Sequence, residues 1–409
     1  MNRAGLAAAL LLLAAAQGRA ELAMFDAGPL PPRGTLYSAD GYHFAYLESD
    51  EREDRWMVDG RARARADAGT LAGPGALSAD GSVLFHFLNV EGGLAPAING
   101  RRVGRKVYME IGQLKLSPSG RNAAFSARTP EGWVIVSGQG TGPAFKDAPL
   151  VLAVSETSTA YVVRWSEANW LYRDHRPVRA VPYDTTTFSP DLKRMGGLWK
   201  RPDNRFYVEL DGERTGPWTG ASAPAFSPDG RRAGYCIGRP PSWYGECDQA
   251  VVDGIETAIT PCQGCSLIIG DDGRAFEDKT LVVVDERTQI HDYSLGGKTV
   301  GRGPALGLSA GGAHYGLTML GADMGGNGFM MDGKAVEHGA PLALAMMPPV
   351  FVGAEEYHYW SLNGKDLLLV CGALDGADPA QTRCASAASG AGWERVSTAA
   401  PPSAPADAP

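Results

Sequence analysis

Beyond its first twenty residues the chain has no apolar run near the ~18 residues that a membrane-spanning helix needs. It also lacks the 3.6-residue periodicity of an amphipathic helix in the region that follows. No His-Glu-x-x-His pair and no dense Asp-x-Asp-x-Asp loop occurs, so no zinc-hydrolase or calcium-loop motif is present and no cofactor is implied. Positive charge is in deficit: 38 Lys and Arg face 46 Asp and Glu, a net charge of −8. The charges are dispersed, which argues against a nucleic-acid partner. Two local exceptions, Arg61-Ala-Arg-Ala-Arg65 and Arg101-Arg102 to Lys106, fall in alternating or turn-rich stretches and read as solvated strand faces.

Two stretches differ from the rest. Arg3 precedes an apolar segment too short to span a bilayer comfortably, and small residues follow up to Ala20. This is the pattern of a cleavable secretory signal over residues 1–20. Its removal takes Arg3 and Arg19 and leaves 36 basic residues against 46 acidic ones, a net charge of −10. No membrane segment then remains, and a periplasmic or secreted protein is expected. Residues 385–409 are Ala, Ser, Gly and Pro with little to bury, and read as a disordered tail. Residues 21–384 remain for the fold.

That middle region repeats. A turn motif appears as Ser38-Ala-Asp-Gly41, Ser78-Ala-Asp-Gly81, Ser117-Pro-Ser-Gly120, Ser189-Pro-Asp-Leu192, Ser227-Pro-Asp-Gly230 and Ser309-Ala-Gly-Gly312. Weaker copies start at Ser155, Gly270 and Gly353, and the steps from Ser38 are 40, 39, 38, 34, 38, 43, 39 and 44 residues. A fixed period of this size marks a repeat architecture. Ser or Asp bonds a nearby backbone amide, Pro presets φ, and Gly closes the turn. A second signal, Asp-Gly or Asn-Gly after an apolar strand, recurs at Asp59, Asn99, Asp211, Asp253 and Asp332. It marks a tight hairpin. Two hairpins per ~40 residues make one propeller blade.

The expected fold is therefore all-β, a single β-propeller of about eight four-stranded blades, with seven or nine as neighbouring counts. Nine turns give nine blades if every weak copy is structural. Residues 21–34 are placed to supply a strand to the blade that begins at Val350, which would latch the ring.

The stretch Phe226-Ser-Pro-Asp-Gly-Arg-Arg-Ala-Gly-Tyr235 resembles the repeat of TolB-type, WD-like β-propellers. The units at Ser38, Ser78, Ser117 and Ser227 match it well. The resemblance implies a periplasmic or secreted binding scaffold, or a non-catalytic propeller joined to a peptidase. No hydrolase-sized stretch lies outside the repeats for the second arrangement. Gly307-Leu-Ser309-Ala-Gly311 matches a serine-hydrolase elbow, but that motif needs a strand-to-helix turn. Ser309 instead falls in register with the turn serines.

The six cysteines suggest disulfides in an exported chain. The pairing expected is Cys236–Cys247, Cys262–Cys265 and Cys371–Cys384, with other pairings open. A zinc site from the first four is an alternative by ligand type. The histidines are scattered, with His43, His86 and His358 at comparable places after a turn. The insertion Arg239-Pro-Pro-Ser-Trp-Tyr-Gly245 is aromatic and Pro-rich, and inserted loops often carry binding. A binding site is expected around Trp243 and Tyr244 with the neighbouring loop at Asn327. The function expected is a non-catalytic scaffold for a protein or glycan partner. The alternative is an enzyme, of polysaccharide lyase or hydrolase type, with its site at the mouth of the central channel.

Overall fold

The computed structural model describes residues 22–396 apart from 30–34, 39–40, 166–167, 183–184, 284–288, 304, 310–312, 320–327, 333, 337–348, 353–355, 364–365, 375–377 and 392. Residues 1–20 and Asn327 thus lie outside the described residues, as do residues 397–409. Among the described residues the strands form nine antiparallel sheets, each built on four strands. We number them as blades. Blade 1 holds Leu36–Tyr37, Phe44–Ser49, Glu53–Val58 and Arg61–Asp67. Blades 2 to 8 follow in chain order and end at Arg101–Arg102, Gly140–Thr141, Arg176–Val181, Glu213–Trp218, Ile255–Gln263, Lys298–Gly303 and Lys334–Val336. Blade 9 takes Val350–Val352, Glu356–Asn363 and Asp366–Ala373, and receives its fourth strand, Leu22–Pro29, from the N-terminal side. The expected latch is formed: Leu22 pairs with Gly372 and Phe25 with Leu369.

The blades number nine, because every turn motif, weak copies included, separates the first strand of a sheet from its second. The repeat chemistry shows why. In blade 1 the Ser38 hydroxyl accepts from the His43 N–H at 3.0 Å, and the Asp59 carboxylate accepts from the Phe44 N–H at 3.0 Å. Blade 5 repeats this with Ser189, Arg194, Asp211 and Met195. Blades 6 and 8 do so with Ser227, Arg232, Asp253 and Ala233, and with Ser309, His314, Asp332 and Tyr315. The hairpin residues Asp59, Asn99, Asp211, Asp253 and Asp332 all have φ between 48° and 53°. That left-handed conformation suits Asn and Asp in a type I′ turn. Asp174 belongs to the same set at 48°, although His175 rather than Gly follows it.

Successive blades are joined by contacts around the whole ring. The buried Asp54 of blade 1 accepts from the Leu71 N–H of blade 2 at 3.0 Å. The Ala79 N–H of blade 2 donates to Pro118 of blade 3, and Asn122 of blade 3 to the Ser155 carbonyl of blade 4. Arg179 of blade 4 pairs with the buried Glu209 of blade 5 at 2.6 Å, and Arg194 of blade 5 donates to the Arg231 carbonyl of blade 6. Asp229 of blade 6 donates its N–H to Asp271 of blade 7. Blades 7 and 8 meet through Phe276, Tyr293, Leu306 and Leu317, and blades 8 and 9 through Phe329 stacked on Tyr359. The ninth joint closes the ring: Trp360 donates to the Gly41 carbonyl of blade 1 at 2.8 Å, and His358 stacks on Tyr42 at 4.0 Å. Closure leaves no blade with an unpaired face.

Residues 385–391 and 393–396 depart from the expected disordered tail. Arg383–Ala391 is helical, and Glu394–Val396 adds a fifth strand to blade 9 by pairing with Leu22–Pro29. Cys384, Ala385 and Ala388 are buried against Phe44, Trp360 and Leu369. Their small side chains allow the close packing that composition alone read as nothing to bury.

The turn carboxylates carry a pH dependence. Hydroxyls of Ser78 and Ser82 and the Ser82 N–H hold the Asp80 carboxyl down at about 2. The Lys193 N–H and the Ser189 hydroxyl hold Asp191 there too. A carboxyl whose pKa is lower in the folded chain adds stability above its unfolded value, here 3.8, and loses it as pH falls toward 2. The melting temperature is therefore expected to fall between pH 4 and pH 2. The Asp80→Asn/Asp191→Asn variant should start lower and fall less steeply in calorimetric scans. Parallel curves for the two proteins would rule out these groups as contributors.

Candidate functional site

Among the described residues, first strands of adjacent blades touch one another: Leu36–Tyr37 with Leu71–Leu77, that strand with Glu110–Leu116, and Glu110–Leu116 with Val151–Val154. The fourth strands are largely exposed. The first strands therefore surround the axis. Their sequences hold two charged residues in all, Glu110 and Lys115. Among the described residues no converging set of acids, bases or histidines lines that wall.

The connection between second and third strands of blade 6, residues 239–245, projects from the opposite end of the blade to the Ser-x-Asp-Gly turns. Trp243 is 78% exposed and Tyr244 51% exposed on this loop. The loop is nonetheless pinned. The Glu246 N–H donates to the Trp243 carbonyl at 3.0 Å, and the Trp243 N–H to the Glu246 carboxylate at 3.1 Å. The Gly245 N–H donates to Thr219, and the Ser242 hydroxyl to Asp248 at 2.5 Å. Gly238 is required beneath it, since a Cβ there would lie 1.8 Å from the Glu246 carbonyl oxygen. Tyr244 stacks on Phe206 of blade 5 at 5.7 Å, with the Lys200 ammonium 4.9 Å from its ring. Arg239 lies over Trp218 and pairs with Glu256. Trp243 and Tyr244 thus form a patch shared by blades 5 and 6. Asn327 is the one residue of the expected site outside the described residues.

The cysteines follow two of the three expected pairings, Cys262–Cys265 and Cys371–Cys384. Cys236 and Cys247 are not bonded to each other and are buried thiols. The register explains this correction: Cys236 stands opposite Ala250, three residues from Cys247, whereas Cys247 stands opposite Cys262. Burial pushes both thiols up, Cys247 to about 12 with help from Asp248 and Glu246. Neither is an activated nucleophile. Among the described residues no group of three or more His, Cys, Asp or Glu is arranged to hold a metal ion.

The histidines among the described residues are absorbed by blade structure. His43 and His314 occupy equivalent positions and each pairs with a hairpin carboxylate, Asp59 or Asp332, at 2.7 Å. His86 is not equivalent to His43: it is buried and accepts from the Gly100 N–H at 3.1 Å. His358 is buried against Tyr42. Ser309 is a fully buried turn serine. One pair escaped sequence reasoning: Asp278 and His291 on neighbouring strands of blade 7 are 2.5 Å apart and mostly buried. Burial raises the Asp278 carboxyl, against the pull of His291. Their thirteen-residue spacing falls outside any local motif, and only the strand register could have revealed it.

No family model matches the chain, and no curated protein matches it. Among solved structures it is similar to the Dos1 propeller, at 11% identity over 85% of this chain and 93% of that chain, with a TM-score of 0.40. It is similar to a eukaryotic initiation factor at 12% identity over 77% and 93%, with a TM-score of 0.44. Hsv2 of Kluyveromyces lactis matches at 9% identity over 63% and 96%, with a TM-score of 0.36. These likenesses concern fold alone. The β-propeller assignment rests on the nine sheets and their nine joints.

Proposed function

We propose that the chain is an exported, non-catalytic propeller of TolB-like type that binds a protein or glycan partner through the patch around Trp243 and Tyr244. The observation that carries this reading is a pinned loop with two exposed aromatic residues in succession, Trp243 and Tyr244. Exposed aromatic surface supports a recognition role. Such rings bring large contact area at low entropic cost. Pinning by four hydrogen bonds means little order must be gained on binding. The nearly uncharged axial wall weighs against the alternative, an enzyme at the channel mouth, because acid-base chemistry needs converging titratable groups.

The test is binding of the mature protein to a glycan array and to its native envelope or culture fluid, beside Trp243→Ala/Tyr244→Ala. The substituted side chains are exposed, so stability should change by only about 0.5 kcal/mol. Affinity for the partner should drop by about 2 kcal/mol or more, roughly thirtyfold. Equal binding by the variant would overturn the assignment of the patch.

A further inference from the structure

The two arginine-rich stretches lie one repeat apart, so they occupy the same place in consecutive blades. Arg61, Arg63 and Arg65 sit on the fourth strand of blade 1, and all three are exposed. Arg101 and Arg102 form the fourth strand of blade 2, and Arg105 and Lys106 follow; all are exposed. The turn before the second strand meets the first. A Cβ at Gly100 would lie 2.9 Å from the Ala64 Cβ, which stands between Arg63 and Arg65. Arg63 reaches the Gly81 carbonyl of blade 2, and Lys106 reaches Thr141 of blade 3. These seven exposed cations occupy the outer edges of two consecutive blades and make up a basic band. Facing them are Glu53, which pairs with Arg65 at 3.7 Å and with Arg55 at 3.0 Å, and Asp67.

Charges on an edge strand discourage edge-to-edge pairing. Other outer strands carry at most two cations each: Arg176 and Arg179, Arg214, Lys298 and Arg302, and Lys334. Edge protection accounts for those, but not for seven exposed cations on the edges of two consecutive blades in a chain whose net charge is −8.

We infer that this band binds a linear anionic polysaccharide, whose sulfate or carboxylate groups the arginines engage along two neighbouring strands. Arg61, Arg63 and Arg65 alternate along one strand and present successive guanidinium groups to an extended polyanion, and Arg101, Arg102, Arg105 and Lys106 add charge on the neighbouring edge. Residues 61–67 and 101–106 contain no aromatic ring, so the stacking that holds single-stranded nucleic acid is missing. The wall is the convex outside of a ring, which offers a flat membrane only a narrow strip.

Heparin, a linear sulfated polysaccharide, is the probe, titrated over a salt series with neutral dextran as control. The protein is expected to bind heparin and not dextran. Arg61→Ser/Arg63→Ser/Arg65→Ser should weaken binding by about tenfold or more at 0.15 M salt, and reduce the slope of log affinity on log salt by about one for each arginine replaced. Arg101→Glu/Arg102→Glu, on exposed residues of the second row, provides an independent variant with the same expected direction. Lys193→Ser/Arg231→Ser removes charge from the turn rim and should leave heparin binding unchanged. So should Trp243→Ala/Tyr244→Ala, which separates this site from the aromatic patch. Absence of heparin binding, an equal loss in the rim variant, or tighter binding to single-stranded DNA or phosphatidylserine vesicles would overturn the inference.

Discussion

Replacing Trp360 with Ala is expected to remove about 3–5 kcal/mol of stability, the range for deleting a buried large aromatic side chain. A further ~1 kcal/mol goes with the hydrogen bond to Gly41. Trp360 is 3% exposed and meets Phe44 and Trp393 edge-on, each with ring centroids 5.6 Å apart. It thus ties together blade 9, blade 1 and the C-terminal segment. Domains are stable by only about 5–15 kcal/mol, so this one change takes a large fraction of the total. The joint it serves is also special: any other joint links sequence neighbours, whereas this one holds the two ends of the array. Denaturant titration of Trp360→Ala against the parent protein measures the effect. A loss below about 1 kcal/mol would show that Trp360 does not hold the closure.

The second large effect concerns Cys371 and Cys384. Their disulfide spans thirteen residues, and both cysteines are fully buried in the cluster that contains Trp360. Cys371 lies on the third strand of blade 9 and Cys384 on the helix that follows. A loop of this size limits the unfolded chain by an amount worth about 3 kcal/mol. Cys371→Ala/Cys384→Ala is therefore expected to lose about 3 kcal/mol, and limited proteolysis should cut first between residues 374 and 396. Unchanged stability under reducing conditions would mean that packing of Ala385, Ala388 and Trp393 alone secures the segment.

The repeat is legible because its turn chemistry is local. Ser, Pro, Asp and Gly act within five residues of one another, and the Asp-Gly hairpins need one left-handed backbone position each. Nine turns therefore stand in the sequence even where Ser155, Gly270 and Gly353 head weakened copies. Eight is the more ordinary count for such rings; nine follows from the sheets. The helix at Arg383–Ala391 is hidden because alanine and serine bury little area and give no apolar stripe. Its place is set by a disulfide and by neighbours from both ends of the chain.

Sequence alone determined the all-β repeat, and it pointed to the latch between Leu22–Pro29 and blade 9, to the pairings Cys262–Cys265 and Cys371–Cys384 among others left open, and to the aromatic loop. Each depends on residues near one another in the chain or on the repeat period. Only the tertiary structure decided what depends on register and on the meeting of neighbouring blades. Cys247 faces Cys262 rather than Cys236 because strand pairing, not spacing, sets what lies opposite. Tyr244 joins Phe206, and Gly100 beside Arg101 meets Ala64 of blade 1, because the ring packs adjacent blades against one another.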